Sequence, residues 1–466
     1  MGFQQALSGL NSSSKALDVV GNNVSNSGTV GFKSARAEFA DVYAASLSGA
    51  GASQIGIGNR VSNVAQQFTQ GNITSTNNAL DVAINGNGMF VLSDGSGTLT
   101  YTRNGQFQLD KNGYLVNADG LHIQGYPANY STSALGVINA TSPTNIFIDP
   151  SGIMPQPSTK AAVNVNLDAR KTIPAPAHAS FSTSDPLSYN DSTSLSIYDS
   201  LGNVHTLSMY YVYAGTMTDA ALTGSPTVST WQVRYAVDGV ANATVSPATA
   251  NPWTSPVLSA ITAGDNVTLA FDSSGKLVDY GTGGGSGGTV TFQGGTASPP
   301  SLTINWGVVV GANNKAATPM TLSSIDYSSS TQYGTTFGPN SLTQDGYSSG
   351  RLTKISIGDD GIIQGNYSNG QTRNMAQIVL ARFTNPNGLQ NIGGNQWTET
   401  FASGVALVGA PGSSSNGVLQ DSALEESTVD LTKELVDMIT YQRAYQANAQ
   451  TIKTQDSLMQ TITNLR

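Results

Sequence analysis

Residues 418–466, VLQDSALEESTVDLTKELVDMITYQRAYQANAQTIKTQDSLMQTITNLR, contain neither glycine nor proline, although the 466-residue chain holds 51 glycines and 18 prolines. Within this stretch Leu431, Met438, Tyr445, Ile452 and Met459 recur every seven residues. Leu435 opens a second column that degrades to Gln442, Ala449 and Asp456. Ile439, Leu458, Ile462 and Leu465 continue the apolar surface as the stripe drifts around a helix of about 3.6 residues per turn. The spacing predicts one long terminal helix. Ser422 with Glu425 fits a capping box, and Asp430 is a second candidate N-cap.

The opposite end carries a thinner seam. Phe3, Leu7, Leu10, Leu17 and Val24 fall on alternating steps of four and three, with Ser14 and Gly21 in the remaining places. No proline interrupts residues 2–20, and Gly21-Asn22-Asn23 supplies the expected left-handed stop. Each terminal helix has an apolar stripe that it cannot bury alone. Two readings stand side by side: the ends pair inside one monomer, or they order fully only when neighbouring copies complete the core. Both hold together if pairing leaves apolar flanks exposed.

Between the ends the chain reads as short strands. Asp followed by Gly three residues later, then strand residues, occurs at Asp110–Gly113, Asp199–Gly202 and Asp272–Gly275, with a shortened form at Asp359-Asp360-Gly361. Asp suits the start of a type I turn and Gly its left-handed exit, so these are hairpins. Calcium binding would need more carboxylates at alternating positions. Prolines at 143, 150, 155, 157, 174 and 176 and the run Gly281–Gly288 punctuate the middle, and Tyr327–Gly338 reads as a return linker. The fold class is multidomain and mainly β, with long α-helices at both termini and nested domains. Residues 1–30 with 426–466 form a helical axial domain, and 31–72 with 404–425 a connecting segment. Residues 73–145 with 346–403 form an inner β domain, and 146–345 an outer β insertion of one or two subdomains.

Charged residues make up 11% of the chain, against about 25% in average globular proteins. The polar surface therefore comes from Ser, Thr, Asn and Gln, which suits modules packed beside copies of themselves. Net charge is −9 with no basic run, which argues against nucleic acid and anionic lipid as partners. There is no cysteine, and His122, His178 and His205 are isolated, so no metal site, cofactor or catalytic constellation is expected. No run approaches the ~18–20 apolar residues of a membrane span, and the N-terminus lacks a cleavable signal. These features alone would place the chain in the cytosol unless a dedicated export machine reads it.

Five separated segments then become recognisable. They are Gly21-Asn22-Asn23-Val24-Ser25-Asn26 with Val30-Gly31-Phe32-Lys33, Leu80–Phe90, Tyr101–Phe107, Leu424–Leu431 and Tyr441–Ala449. In this order they resemble the rod, hook and hook-associated axial proteins of bacterial flagella. Asn22, Asn23, Asn26, Gly31, Phe32 and Lys33 carry the family's strongest mark. The match is tight over 1–130 and 340–466. Across 146–340 it is looser, though Ser194–Asn203 and Asn340–Tyr347 are similar to the outer β-domain of hook proteins.

The resemblance implies a structural protein of the extracellular flagellum, exported unfolded by the flagellar type III apparatus. It implies a helical homopolymer, the short curved hook, acting as a universal joint for motility. Implied partners are the chain itself, the distal rod protein, the hook cap, the hook–filament junction protein and the export apparatus. There is no nucleic acid and no membrane insertion among them. Its axial interface would use Phe3, Leu7, Leu10, Leu17 and Val24 packed against Leu431, Leu435, Met438, Tyr445, Ile452 and Met459. Segments 143–160 and 328–346 are candidate hinges. A surface adhesin gives no reason for apolar helices at both ends. A distal rod protein is the nearest rival, opposed by length and by the outer insertion.

Overall fold

The structure is a computed structural model. It describes residues 2–42, 56, 58–130, 135–175, 181–219, 222, 226–241, 261–263, 267–283, 290–292, 302–304, 320–413 and 415–464. It is mainly β, with one long helix at each end: α1 (Gly2–Ser25) and α2 (Leu431–Asn464). The chain divides into two compact units. Unit 1 comprises Met1–Ser151, Leu352–Tyr367 and Thr372–Arg466, and unit 2 comprises Gly152–Arg351 and Ser368–Gln371.

Unit 1 is knitted from both halves of the chain. Its largest sheet runs in the order Leu352–Ile357, Ile362–Tyr367, Thr372–Ile378, His122–Asn129, Met89–Ser93, Leu99–Thr102, Gln396–Thr398 and Gln390–Gly393. Strands from before and after the long insertion thus hydrogen-bond as neighbours. Two short pairs repeat the principle, Ile73–Ser75 with Ala423–Glu425 and Val82–Asn85 with Val418–Asp421. Met89, Val91, Tyr101, Val379, Ala381 and Trp397 fill a core beneath the sheet. The antiparallel hairpin Ala35–Val42 with Gly58–Gln66 lies against α1.

In unit 2 the strand Lys160–Asp168 is central to a four-stranded sheet. It pairs in parallel with Ser324–Asp326 and Thr331–Tyr333 and antiparallel with Gly338–Gln344. A seven-stranded antiparallel sheet runs from Asp191–Tyr198 through Val204–Thr218, Thr227–Val237, Val267–Phe271 and Leu277–Gly283 to Val290–Phe292. Both sheets contribute to one core, in which Val163, Val165 and Leu167 meet Leu207, Met209, Tyr211, Trp231 and Phe271. Alternation along Val204–Thr218 and Thr227–Val237 puts these side chains on the inner face.

The recurrent turn is a built module. One carboxylate oxygen of Asp110, Asp199 and Asp272 accepts the amides two and four residues ahead, at 2.7–3.0 Å. Gly113, Gly202 and Gly275 follow with φ between +80° and +89°. The same turn also forms at Asp94–Gly97 and, with Asn in first place, at Asn117–Gly120. Partial burial pushes the Asp272 carboxyl up, but hydrogen bonds from Ser274 and Lys276 outweigh it and hold it below its ordinary value. A depressed carboxyl stabilises the fold above its unfolded pKa and loses that effect as pH falls through the folded one. Asp272→Ala is therefore expected to destabilise unit 2 by about 1 kcal/mol at pH 6. The difference from wild type should shrink in urea titrations carried into the acid range below the unfolded carboxyl pKa.

Several expectations are corrected. Helix α1 does not stop at Gly21; it continues to Ser25 and no positive φ occurs before Gly31. A helical glycine costs only about 1 kcal/mol, which the packing of Val20 and Asn23 outweighs. Ser422 and Glu425 form no capping box, because Ser422 sits at φ +51° between two strands and Glu425 is in the second. Asp430 is the cap, accepting the amides of Thr432 (3.0 Å) and Lys433 (3.2 Å). Tyr327–Gly338 is no linker, since Tyr327 is fully buried and Thr331–Tyr333 is a strand. Segment 328–346 likewise lies within unit 2, whereas 143–160 crosses the division at Ser151/Gly152. Gly281–Gly283 end a strand, and 284–288 and Pro176 fall outside the described residues.

Candidate assembly site

Helices α1 and α2 pair antiparallel. Gly9 faces Asn448, and the Asn23 side-chain amide donates to Glu434 Oε1 at 3.1 Å. The buried side of α1 consists of Ala6, Ser13 and Val20, seven residues apart, and Ala16 and Asn23, seven residues apart, with half-buried Gly9 completing the second row. This is a true heptad seam made of small residues. A Cβ at Gly9 would lie 2.7 Å from the Asn448 side chain, so close approach of the helices depends on it. On α2 the half-buried positions Glu434, Met438, Tyr441, Asn448, Ile452 and Gln455 follow the matching spacing. In the same register Gly2 comes level with Gln455, and Asp456–Asn464 extends past α1.

The bulky seam lies elsewhere. Phe3 and Leu7 are exposed, and Leu10, Leu17 and Val24 are half-buried. On α2, Leu431, Leu435, Tyr445 and Met459 are exposed, as are Val436, Ile439 and Leu458, while Met438 and Ile452 are half-buried. At about 100° per residue, the Phe3–Val24 stripe is rotated roughly 100° from the small-residue seam of α1. Leu431, Leu435 and Ile439 are rotated roughly 110° from the pairing side of α2. Because the helices run in opposite directions, both rotations carry the stripes to the same side of the pair. The other side of α1 meets the hairpin, where Ser12 Oγ donates to Asn59 Oδ1 (3.0 Å) and Gln5 Nε2 to the Gly56 carbonyl (2.7 Å). The hairpin thus covers one side of α1, and the opposite side of the pair carries exposed apolar side chains from both helices.

The motif after α1 anchors this helix pair. The Asn23 amide group closes on the Ala35 backbone, accepting its N–H at 2.9 Å and donating to its carbonyl at 2.8 Å. Asn26 folds back on Asn22, donating to its side-chain oxygen at 2.6 Å. Gly31 has φ +69°, and a Cβ there would lie 2.7 Å from the Arg103 backbone. Half-buried Phe32 accepts the Thr428 amide through its carbonyl at 3.1 Å. Lys33 then enters a buried charge cluster. Its Nζ donates to Glu425 Oε1 (2.6 Å) and the Thr69 carbonyl (2.5 Å). Arg103 donates to Glu425 Oε2 (3.1 Å) and the Gly86 carbonyl (2.7 Å), and the Gly71 amide donates to Glu425 Oε1 (2.8 Å). Burial, followed by the Arg103 charge, holds the Lys33 amine below its ordinary pKa, and Glu425 partly offsets this.

Glu425, read from its spacing as part of a capping box, is instead the acid at the centre of this cluster. Its surroundings, the apolar Ala423-Leu424 and a strand-like alternation, were the available signal. Among the described residues no cluster of His, Asp and Glu is arranged to hold a metal, and no helix is long and apolar enough to cross a membrane.

Four stretches match known families. Residues 3–33 match the flagella basal body rod protein family, and 83–169 the flagellar hook protein FlgE/F/G D1 domain. Residues 166–347 match the flagellar basal body protein FlaE D2 domain, and 420–465 the flagellar basal body rod FlgEFG protein C-terminal family. A Helicobacter pylori flagellar hook protein FlgE2 structure covers 76% of this chain and 100% of its own, with 17% identity and a TM-score of 0.49. The flagellar hook protein FlgE of Borreliella burgdorferi is 32% identical over 482 residues, covering 99% of this chain and 98% of its own. That of Escherichia coli K12 is 40% identical over 469 residues, covering all of both chains. Identity at this level along the whole length, outer insertion included, means that the chain belongs to the flagellar hook protein FlgE family.

Proposed function

We propose that this chain polymerises with copies of itself into the flagellar hook, using the apolar face of the α1–α2 pair as an axial contact. The observation that carries the reading is the separation of two seams on α1. The small residues serve pairing within the chain. Phe3, Leu7, Leu10, Leu17 and Val24 are left on the same side of the pair as Leu431, Leu435 and Ile439, with Leu17 and Val24 level with them. Covering such side chains contributes roughly 1.5–3 kcal/mol each as an upper bound. On α2, half-buried Met438 and Ile452 serve the pairing with α1, and exposed Tyr445 and Met459 lie along the same row, Met459 beyond the end of α1.

In this role the chain leaves the cell unfolded through the flagellar export apparatus and assembles beneath a cap. The extracellular tube then joins the distal rod to the junction proteins of the filament. It transmits torque as a flexible universal joint and performs no enzymatic step. The hydroxyl- and amide-rich surface of unit 2 supports sliding between copies, because few charges would be stranded without partners. The helical axial domain (1–30 with 426–466), connecting segment, inner β domain and outer β domain provide the layers of that tube, with 143–160 as a hinge. Immunogold microscopy of intact flagella with antibodies to residues 160–340 is expected to label the short curved piece between cell surface and filament. Label on the rod, along the filament or over the envelope would reassign the chain to another axial structure or to a surface protein.

A further inference from the structure

Residues 400–420, TFASGVALVGAPGSSSNGVLQ, contain no charged residue, in a chain whose net charge is −9. Within them Phe401 is 106% exposed, the most exposed large apolar side chain among the described residues. Val405 is 79% exposed, and Leu407 and Val408 are exposed beside it. The loop that presents Phe401 is not slack. Thr400 Oγ1 donates to the Gly388 carbonyl (2.6 Å), the Thr400 amide to Ser403 Oγ (2.9 Å), and Asn385 Nδ2 to the Ala402 carbonyl (3.0 Å). Ser403 is itself buried and returns a bond to the Thr400 carbonyl at 2.9 Å. The next strand, Leu407–Gly409, pairs only with Leu380–Arg382 among the described strands, so its second edge is open.

We infer that Phe401, Val405 and the open edge of Leu407–Gly409 form a contact that docks onto a second copy of this chain, distinct from the helix pair. An apolar, uncharged edge strand is a template for pairing, and soluble proteins ordinarily guard such edges with charge or proline. Here the loop is held so that its aromatic ring projects into solvent. The charge balance selects the occupant. Two copies each carrying −9 repel one another wherever their acidic surfaces meet, and a contact made through an uncharged segment avoids that repulsion. This inference rests on self-assembly as proposed above and adds a second contact within unit 1.

The test uses the full chain. Phe401→Ser removes a side chain with no contacts to lose in the monomer, so its melting temperature should match wild type. Its critical concentration for tube formation should rise roughly 30-fold, equivalent to about 2 kcal/mol. An unchanged critical concentration overturns the inference, whereas wild-type protein that forms no tubes at all would instead sink the self-assembly reading. Should Phe401→Ser destabilise the monomer, Ala402→Cys gives an independent readout, because the chain has no other cysteine. Its thiol should alkylate freely in the monomer and at least tenfold more slowly in tubes. Equal rates in both states overturn the contact.

Discussion

Glu425→Ala is expected to destabilise unit 1 by about 3–5 kcal/mol, the range for removing one partner of a buried ion pair. Among the described residues the carboxylate is the only acid paired with Lys33 and Arg103, and its side chain and that of Lys33 are wholly buried. Without it two cations stay in the interior, and the Gly71 amide loses its acceptor. The lost contacts also span the chain, since Lys33 follows α1, Arg103 follows the strand Leu99–Thr102, and Glu425 precedes α2. A urea midpoint for unit 1 equal to wild type would show that the cluster is not the clasp inferred from its geometry.

The companion variant Lys33→Met should be far milder, within about 1 kcal/mol of wild type, because Glu425 keeps Arg103 and one desolvated cation is gone. A pH signature separates the two. The Lys33 amine is lowered from 10.5 in the folded state, so between its folded value and 10.5 the unfolded chain binds more protons. Stability from this group therefore rises with pH across that alkaline window, and Lys33→Met should flatten the rise.

Removal of residues 1–25 is expected to abolish tube formation while leaving a soluble β-rich monomer. The buried residues of α1 are Ala6, Ser12, Ser13, Ala16, Val20 and Asn23, so the truncation takes little apolar volume from the β sheets. It does take the whole Phe3–Val24 stripe. Leu7→Asp with Leu10→Asp in the full chain tests the same face without deleting the helix, because Leu7 is exposed and Leu10 half-buried. Sedimentation should show both proteins in the monomer fraction at concentrations where wild type pellets. Normal tubes from the truncated chain would remove α1 from the assembly contact.

Local rules were legible where they act over a few residues. The Asp-to-Gly turns follow from the hydrogen-bonding reach of one carboxylate and the steric freedom of one glycine, so Asp110, Asp199 and Asp272 announce their hairpins without help from distant residues. Asp430 as the second candidate cap, the existence of one long helix at the C-terminal end and the β character of the middle have the same local origin. The membership of the family was likewise written in short motifs, Asn22 to Lys33 above all.

Pairing and burial were not legible, because they depend on what another part of the chain presents. Apolar periodicity on α1 picked out Phe3, Leu7, Leu10, Leu17 and Val24. Close packing with α2 instead selected the small residues one position away, where Gly9 admits Asn448. Glu425 read as a helix cap by spacing, yet strand pairing with Ile73 brings it to Lys33 and Arg103. Tyr327 looked like linker until the core of unit 2 closed over it, where its hydroxyl meets that of Tyr235 at 3.1 Å. A residue's turn chemistry is set by its immediate backbone. Whether its side chain is buried, paired with a charge or left for a neighbouring copy is set by chain segments hundreds of residues away.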